Sequence, residues 1–331
     1  MPRLACWLVL GVAACGGSSD GVKQGEKLED TGWFLDTADP SNCTHRVVTT
    51  EPDAGESGWY WLDEPRVFTE TRNEESYGAT LIDDQGVAVQ TTVDWDADGL
   101  FYRVVTKDGF LQASTDYTLR VQDCLTTTDI PFSTSEFGAP LDEGPGSLVG
   151  ATWHLDLINA DWVEPGGLGA LLALYFTTPV LIGVQYADLD TIDFIGAPGV
   201  IGPFGNVVQD LTESTWDFPS TGFDEAPFFD ATTDAVTFEY EGSVVPVSDF
   251  EFSGTISGDM TAIGGGLLTG LADTRNLGSA LGVPGNESAM CETAVSLGVS
   301  CIDCPDGEPY CLYIEVRSVD GELVDGLEIQ K

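Results

Sequence analysis

Closely spaced carboxylates give the first candidate for chemistry in this chain of 331 residues. Asp94, Asp96 and Asp98 occupy every second position of the run that ends at Gly99. This spacing is typical of the start of a calcium-binding loop with carboxylate ligands. The twelfth position counted from Asp94 is Val105, whereas such loops have Glu there. The same run is also typical of an ordinary β-turn with solvated acids. The sequence therefore offers a calcium site at these three residues as a hypothesis beside a simple turn.

The cysteines offer a second kind of chemistry. Four of them follow the spacing Cys291-x9-Cys301-x2-Cys304-x6-Cys311, which fits either two disulfides or a zinc site with four thiolate ligands. Four cysteines allow three pairings, and the sequence does not choose among them. Cys43 and Cys124 lie far upstream, and we expect them to pair with each other. The N-terminal segment has the features of an export signal, and thiols rarely stay free outside the cytoplasm. Disulfides are therefore favoured over zinc.

Groups that commonly serve catalysis are scarce. The two histidines, His45 and His154, lie far apart in the sequence. The chain has no G-x-S-x-G elbow, no H-E-x-x-H pair, no P-loop and no dinucleotide-binding glycine motif after a strand. A pair of carboxylates could serve glycoside hydrolysis, but a chain with 55 acidic residues makes any such pair uninformative. The residues therefore favour a protein that is not an enzyme. An extracellular hydrolase is the least favoured of the three functions that the sequence suggests.

The first residues have the features of an export signal. One positive charge at Arg3 precedes an apolar run from Leu4 to Ala14, which is too short to span a bilayer but fits the core of a signal peptide. The run ends in Val12-Ala13-Ala14-Cys15-Gly16, which resembles the lipobox of bacterial lipoproteins. The resemblance implies cleavage before Cys15, acylation of that cysteine and delivery to the outer membrane or cell surface. An ordinary secretory signal with a chance cysteine is the alternative.

The charge balance excludes one class of partner. The chain has 12 Lys and Arg residues against 55 Asp and Glu residues, for a formal net charge of −43. Nucleic-acid binding requires a basic stripe that releases counterions from phosphates, so we exclude nucleic acid as a partner. No Lys or Arg lies between Arg120 and Arg275. We therefore expect Arg275 to form an ion pair with a carboxylate such as Asp273.

Length and composition favour two domains. Gly and Pro residues between positions 138 and 146 have the composition of a linker. The predicted organisation is a signal peptide over residues 1–14, an acylated cysteine and flexible tether over 15–30, a first domain over 31–138, a linker over 139–147 and a second domain over 148–331.

The first domain is predicted to be an all-β sandwich, because short strands alternate with turns every eight to twelve residues. Ala79 to Ile82, Asp83 to Gly86 and Val87 to Gln90, for example, fit a strand, a turn and a second strand. Over residues 46–138 the chain resembles bacterial immunoglobulin-like domains of surface-layer and other cell-surface proteins. The matching segments are Val48 to Gly55, the Asp83 to Gly86 turn, Ser114 to Val121 and Pro131 to Thr134. The resemblance implies a spacer or binding module.

The second domain is also predicted to be rich in strands. Phe250 to Gly258 alternates apolar and polar residues, and Asp259 to Asp273 continues the pattern with several glycines, which often mark bends or bulges in strands. We expect a curved antiparallel sheet or half-closed barrel with one or two short helices, one of them starting after Asn286.

Residues 165–187 contain no charged side chain, yet Pro179, several glycines and acidic flanks argue against a membrane span. After Pro165 the apolar residues recur at helical spacing. They are candidates for the lid of an apolar pocket: Leu168, Leu171, Leu172 and Tyr175.

Together these observations predict an all-β, exported, lipid-anchored surface protein that acts as a structural, adhesive or partner-binding module. The predicted partners are the membrane, through the lipid anchor, and an unknown extracellular protein, glycan or apolar ligand. The alternative is a carrier that holds an apolar ligand in the second domain. Apart from the calcium hypothesis, no cofactor is expected.

Overall fold

The computed structural model of the protein confirms the expected all-β class. It describes residues 46–72, 77–123, 126–167, 178–240, 243–278 and 285–331. Residues 44–331 form one compact unit. Within the described ranges, β2 and β8 make a parallel pair, and the other ladders are antiparallel.

The first eight strands form a sandwich of two four-stranded sheets. The strands are β1 (Val47–Glu51), β2 (Glu56–Trp59), β3 (Arg66–Thr69), β4 (Gly78–Ile82), β5 (Thr91–Trp95), β6 (Phe101–Thr106), β7 (Asp116–Gln122) and β8 (Thr127–Thr134). Their orders are β1-β3-β6-β5 and β2-β8-β7-β4. Buried and exposed residues alternate along β6 and β7, so each sheet turns one face inward. Tyr102 and Val104 of one sheet meet Leu81 and Leu119 of the other in a single core.

The turns of the sandwich lie where the sequence predicts them, with one difference. Gly86 N–H donates to the Asp83 carbonyl over 3.0 Å, which closes the first turn. The strand expected over residues 87–90 is reduced to a single bridge between Ile82 and Ala88. The reason is that the chain leaves this sheet at once, since β5 pairs with β6 in the opposite sheet.

The remaining strands form one sheet of eleven. The strands are β9 (Thr152–Asp156), β10 (Asp161–Glu164), β11 (Val180–Ala187), β12 (Thr191–Ile201), β13 (Val207–Gln209), β14 (Trp216–Asp217), β15 (Thr221–Gly222), β16 (Phe228–Tyr240), β17 (Ser243–Ile256), β18 (Ala262–Asp273) and β19 (Cys311–Leu323). The main order is β13-β12-β11-β9-β19-β18-β17-β16, with β10 paired to β19, and β14 and β15 paired to β12.

This sheet curls around a core of aromatic side chains. The Thr221 hydroxyl donates to the Asp230 carbonyl over 2.5 Å, and the Thr233 hydroxyl donates to the Asp217 carbonyl over 3.1 Å. These bonds join the short strands on β12 to the edge strand β16, where the described backbone ladder does not close. Phe and Trp rings fill the space between, with ring centroids of successive pairs 4.7–5.5 Å apart. The sheet is therefore a half-closed barrel with a packed interior.

One short helix and two 3-10 turns accompany the sheet in the described ranges. Helix α1 (Ala289–Ser296) buries Met290 and Ala294 against the core, as the sequence predicts for a helix after Asn286. Single 3-10 turns span Pro145–Leu148 and Arg275–Gly278. Within the described ranges, none of the helices has the length and apolar character that a membrane crossing needs.

Candidate functional site

Consecutive glycines in β18 let aromatic rings from the N-terminal part of the molecule pack directly on the strand backbone. A Cβ atom on Gly264 would lie 2.2 Å from the Phe137 ring, and one on Gly265 would lie 2.3 Å from the Tyr60 ring. Gly265 also has a φ of 61°, a left-handed conformation that other residues adopt only at a cost. The pairing of β18 with β19 shifts register on both sides of Gly266, as in a β-bulge. Only glycine lets these two rings pack directly on the sheet backbone.

A single buried hydroxyl joins the same two parts of the molecule. Thr255 in β17 is fully buried, and its Oγ1 accepts a hydrogen bond of 3.1 Å from the Trp61 indole nitrogen. The same oxygen lies 2.5 Å from the Tyr60 hydroxyl. Burial raises the pKa of Tyr60, so its phenol is neutral and available as a hydrogen-bond donor at physiological pH. Both aromatic side chains are therefore fixed at their polar atoms as well as at their rings.

The segment between the two parts is itself packed on the sheet. Asp142 N–H donates to the Gly258 carbonyl over 2.9 Å, and Leu141 contacts the core of the curled sheet. Gly138, with a φ of 95°, brings the backbone against the Trp61 ring. We call the following residues the junction: Tyr60, Trp61, Phe137, Thr255, Gly264 and Gly265. At the junction, aromatic side chains from one part of the molecule pack on the backbone and a buried hydroxyl of the other.

The three carboxylates of the calcium hypothesis lie on the turn between β5 and β6. Arg103 donates to Asp94 over 2.5 Å, and Asp96 accepts the backbone N–H groups of Phe101 and Asp98. These backbone hydrogen bonds lower the pKa of Asp96. In the described parts of the chain no group of three His, Cys, Asp or Glu residues is arranged to hold a metal. Calcium would compete with Arg103 for Asp94, and its binding at Asp94, Asp96 and Asp98 stays a prediction.

Two disulfides brace the segment that follows β18. Cys291 pairs with Cys301, and Cys304 pairs with Cys311, which selects one of the three pairings that the sequence left open. These four sulfurs are therefore not available as zinc ligands. The other predicted special residues lie outside the described residues: Cys15, Cys43, Cys124, Leu168, Leu171, Leu172 and Tyr175. The lipid anchor, the Cys43–Cys124 pair and the pocket lid stay predictions.

The expected ion pair of Arg275 is present and is more extensive than the sequence indicates. Arg275 lies 2.6 Å from Asp273 and 2.7 Å from Asp306, and its guanidinium carbon lies 5.9 Å from the centroid of the Tyr310 ring. Hydrogen bonds to both carboxylates raise the pKa of Arg275. Because Asp306 lies in the loop between Cys304 and Cys311, Arg275 ties that loop to the end of β18.

The histidine within the described ranges lies in a strand ladder. His154 of β9 is opposite Glu322 of β19. Burial lowers the pKa of its imidazole, although Asp156 and Glu322 oppose this, so the ring is neutral at pH 7. His45 lies outside the described residues.

Several cations on the described surface are paired with neighbouring carboxylates. Arg66 pairs with Glu51, Arg120 with Asp129 and Arg317 with Glu315. Such exposed pairs contribute little to stability. They do reduce the positive charge available to an anionic ligand.

Comparisons with known proteins give no family. No protein-family model matches the chain, and no curated protein matches it. Two matching solved structures are surface layer protein SbsC, domains 1-6, with 8% sequence identity over 84% of this chain, and the S-layer protein rSbsC(31-844), with 7% identity over 85%. Both have a TM-score of 0.21, which is too low to assign the fold. The chain spans about half the length of either structure, 51% and 53% respectively.

Sequence reasoning missed the junction. The available signal is the run Gly264 to Gly266 inside a segment predicted to be a strand. Such a run predicts a bulge or a close approach of another chain segment, but the approaching rings come from positions more than a hundred residues earlier. Pairing them with these glycines requires the tertiary structure.

Proposed function

We propose that the protein is an exported, lipid-anchored surface protein without enzymatic activity, in which the sandwich and the curled sheet act as one rigid structural and partner-binding unit. The observation that carries this proposal is the junction. Two β units joined by a flexible linker rotate freely, whereas rings seated on glycine backbone and hydrogen bonded to a buried threonine fix one orientation.

Rigidity is useful to a surface module for a physical reason. A spacer that transmits position, or a surface that binds a large partner, loses less conformational entropy on binding when its parts are already held in place. Contacts between domains of one chain usually permit relative motion unless they are extensive and apolar. The junction is built from aromatic rings and a buried hydroxyl, so it favours the rigid alternative.

Export and anchoring are supported by other features. The N-terminal run ending at Cys15 resembles a lipobox. The two disulfides suit an oxidising compartment outside the cytoplasm. A formal net charge of −43 keeps a protein soluble at a crowded surface through mutual repulsion.

The anchor is tested by fractionating cells that produce the Cys15→Ser variant. We expect the wild-type protein in the membrane fraction and the variant in the soluble exported fraction. Cys6→Ser is the matched control, because Cys6 lies within the predicted signal peptide and is removed with it; this variant should stay in the membrane. A Cys15→Ser protein that stays in the membrane fraction as completely as the wild type would contradict the anchor.

Rigidity is tested by small-angle X-ray scattering on the exported protein. We expect the wild-type profile to fit a single conformation of residues 46–331. Replacing Gly264 with Leu should unseat the Phe137 ring and give a larger radius of gyration and a broader distance distribution. Gly146→Ala is the control, because a Cβ at Gly146 meets no atom within 4 Å. Equal profiles for the Leu variant and the control would count against the junction as the source of rigidity.

A further inference from the structure

The hairpin of β12 and β13 presents an apolar tip to solvent. Phe204 at the tip is 94% exposed, and Ile201 is 64% exposed. Pro203 between them is also exposed. Residues 194–209 contain no Asp, Glu, Lys or Arg, in a chain where charged residues make up 20% of the sequence. The tip is thus an uncharged, apolar projection on a strongly acidic protein.

The base of this hairpin is firmly held. Gln209 donates from Nε2 to the Gln330 carbonyl over 2.7 Å, and its Oε1 accepts the Gln330 N–H over 2.8 Å. Val207 packs against a small separate core that includes Leu181 and Ile195. The apolar tip therefore projects from a base that is held by other contacts. Its insertion into an apolar medium requires little ordering of the backbone.

Two backbone hydrogen bonds close the tip within the hairpin. Gly202 N–H donates to the Asn206 carbonyl over 2.7 Å, and Gly205 N–H donates to the Gly202 carbonyl over 3.0 Å. Polar backbone groups without partners are costly in an apolar medium. A hairpin that satisfies these groups internally can leave water at a lower cost than an open loop.

We propose that this tip, Ile201 to Phe204, inserts into the boundary between headgroups and acyl chains of a bilayer with zwitterionic headgroups. The inference rests on the proposed membrane anchoring and deepens it. A tether alone leaves the orientation of the protein free, and insertion of the tip fixes which face lies on the membrane. The formal charge of −43 disfavours anionic lipid, which selects the zwitterionic surface.

A lipid surface fits the tip better than a second copy of the chain does. A stable protein interface needs about 800 Å² from each partner, and a tip of three apolar side chains offers much less. Two copies that each carry a formal charge of −43 also repel one another. A convex apolar tip needs no complementary cavity in a bilayer, because lipid acyl chains rearrange around it.

The test uses the exported Cys15→Ser protein, so that any binding is independent of acylation. We expect it to float with phosphatidylcholine vesicles in a density gradient. Phe204→Ser should lower the partition coefficient between vesicles and water about ten-fold, as for loss of one buried aromatic side chain. The matched control is Leu189→Ser. Leu189 is 75% exposed but lies between Asp188 and Asp190 on another turn, so its loss should leave the partition coefficient unchanged. Vesicles containing phosphatidylglycerol should bind more weakly.

A second readout is the fluorescence of Phe204→Trp compared with its parent protein. We expect the added emission to shift to shorter wavelength with phosphatidylcholine vesicles and to be quenched by lipids brominated on their acyl chains. Absence of the shift, or equal loss of binding in Phe204→Ser and Leu189→Ser, overturns the proposal. So does a dimer in vesicle-free solution that Phe204→Ser dissociates, because the tip is then a contact between copies. The proposed anchor fails separately, through membrane retention of Cys15→Ser that Phe204→Ser does not release.

Discussion

Adding one methyl group at Gly264 should destabilise the junction measurably. A Cβ atom there would lie 2.2 Å from the Phe137 ring, whereas carbon atoms in contact prefer about 3.5–4.0 Å. The ring must therefore move by roughly 1.5 Å or the strand must distort. Overpacking of this kind costs about 1–3 kcal/mol, and we expect Gly264→Ala to lower the free energy of unfolding by that amount.

The decisive measurement is a double-mutant cycle in urea unfolding, followed by tryptophan fluorescence. Phe137→Ala removes the ring that the new methyl group meets. The double variant should therefore be more stable than the sum of the single effects predicts, with a coupling of about 0.5–3 kcal/mol. Gly146→Ala, where the added methyl group meets open space, should lie within about 0.5 kcal/mol of the parent protein. Strictly additive effects of Gly264→Ala and Phe137→Ala would contradict direct packing of the Phe137 ring on Gly264.

Three further predictions follow from the described contacts. Thr255→Val should lower the free energy of unfolding by about 1–3 kcal/mol because it leaves the buried Trp61 N–H without its acceptor and the Tyr60 hydroxyl without its partner, while Thr255→Ser should retain most of the stability when both variants are compared by thermal unfolding. The pKa of Asp188 is lowered to about 2 by the Tyr186 hydroxyl and by backbone N–H groups; its stabilising contribution should be present above the unfolded pKa of about 4 and be lost as the pH falls through about 2, and Tyr186→Phe should raise this pKa in a carbon-13 NMR titration. Reduction of the two disulfides, whose sequence separations are 10 and 7, should cost about 2–3 kcal/mol for each bridge in the chain-entropy model, and an unchanged denaturation midpoint after reduction would contradict this.

The parts of the fold that depend on local pattern could be predicted from the sequence. The pattern of Ala79 to Ile82 and the turn residues Asp83 to Gly86 are sufficient to predict a strand and the turn that ends it. The expected strand over residues 87–90 failed because the chain crosses there to the opposite sheet. Nothing in the local pattern records which sheet a strand joins.

Interactions between distant residues could not be predicted in the same way. The ion pair of Arg275 with Asp273 is recognisable because the two residues are neighbours in the sequence, whereas the second partner, Asp306, comes close only once the disulfides fold that loop back. The choice among cysteine pairings and the seating of Phe137 have the same origin. Each depends on where the chain returns in space, and charge or periodicity within a short window carries no information about that.

The position of β19 has a consequence for how the molecule is assembled. This strand is the last in the sequence, yet it lies between β18 on one side and β9 and β10 on the other. Without residues 311–323, no backbone ladder among the described strands joins β9 and β10 to β18. The sandwich, by contrast, is complete once β8 has emerged. We therefore expect a chain truncated before Cys311 to lose the ladders that join β9 and β10 to β18, and this sheet to complete its folding only once residues 311–323 are available.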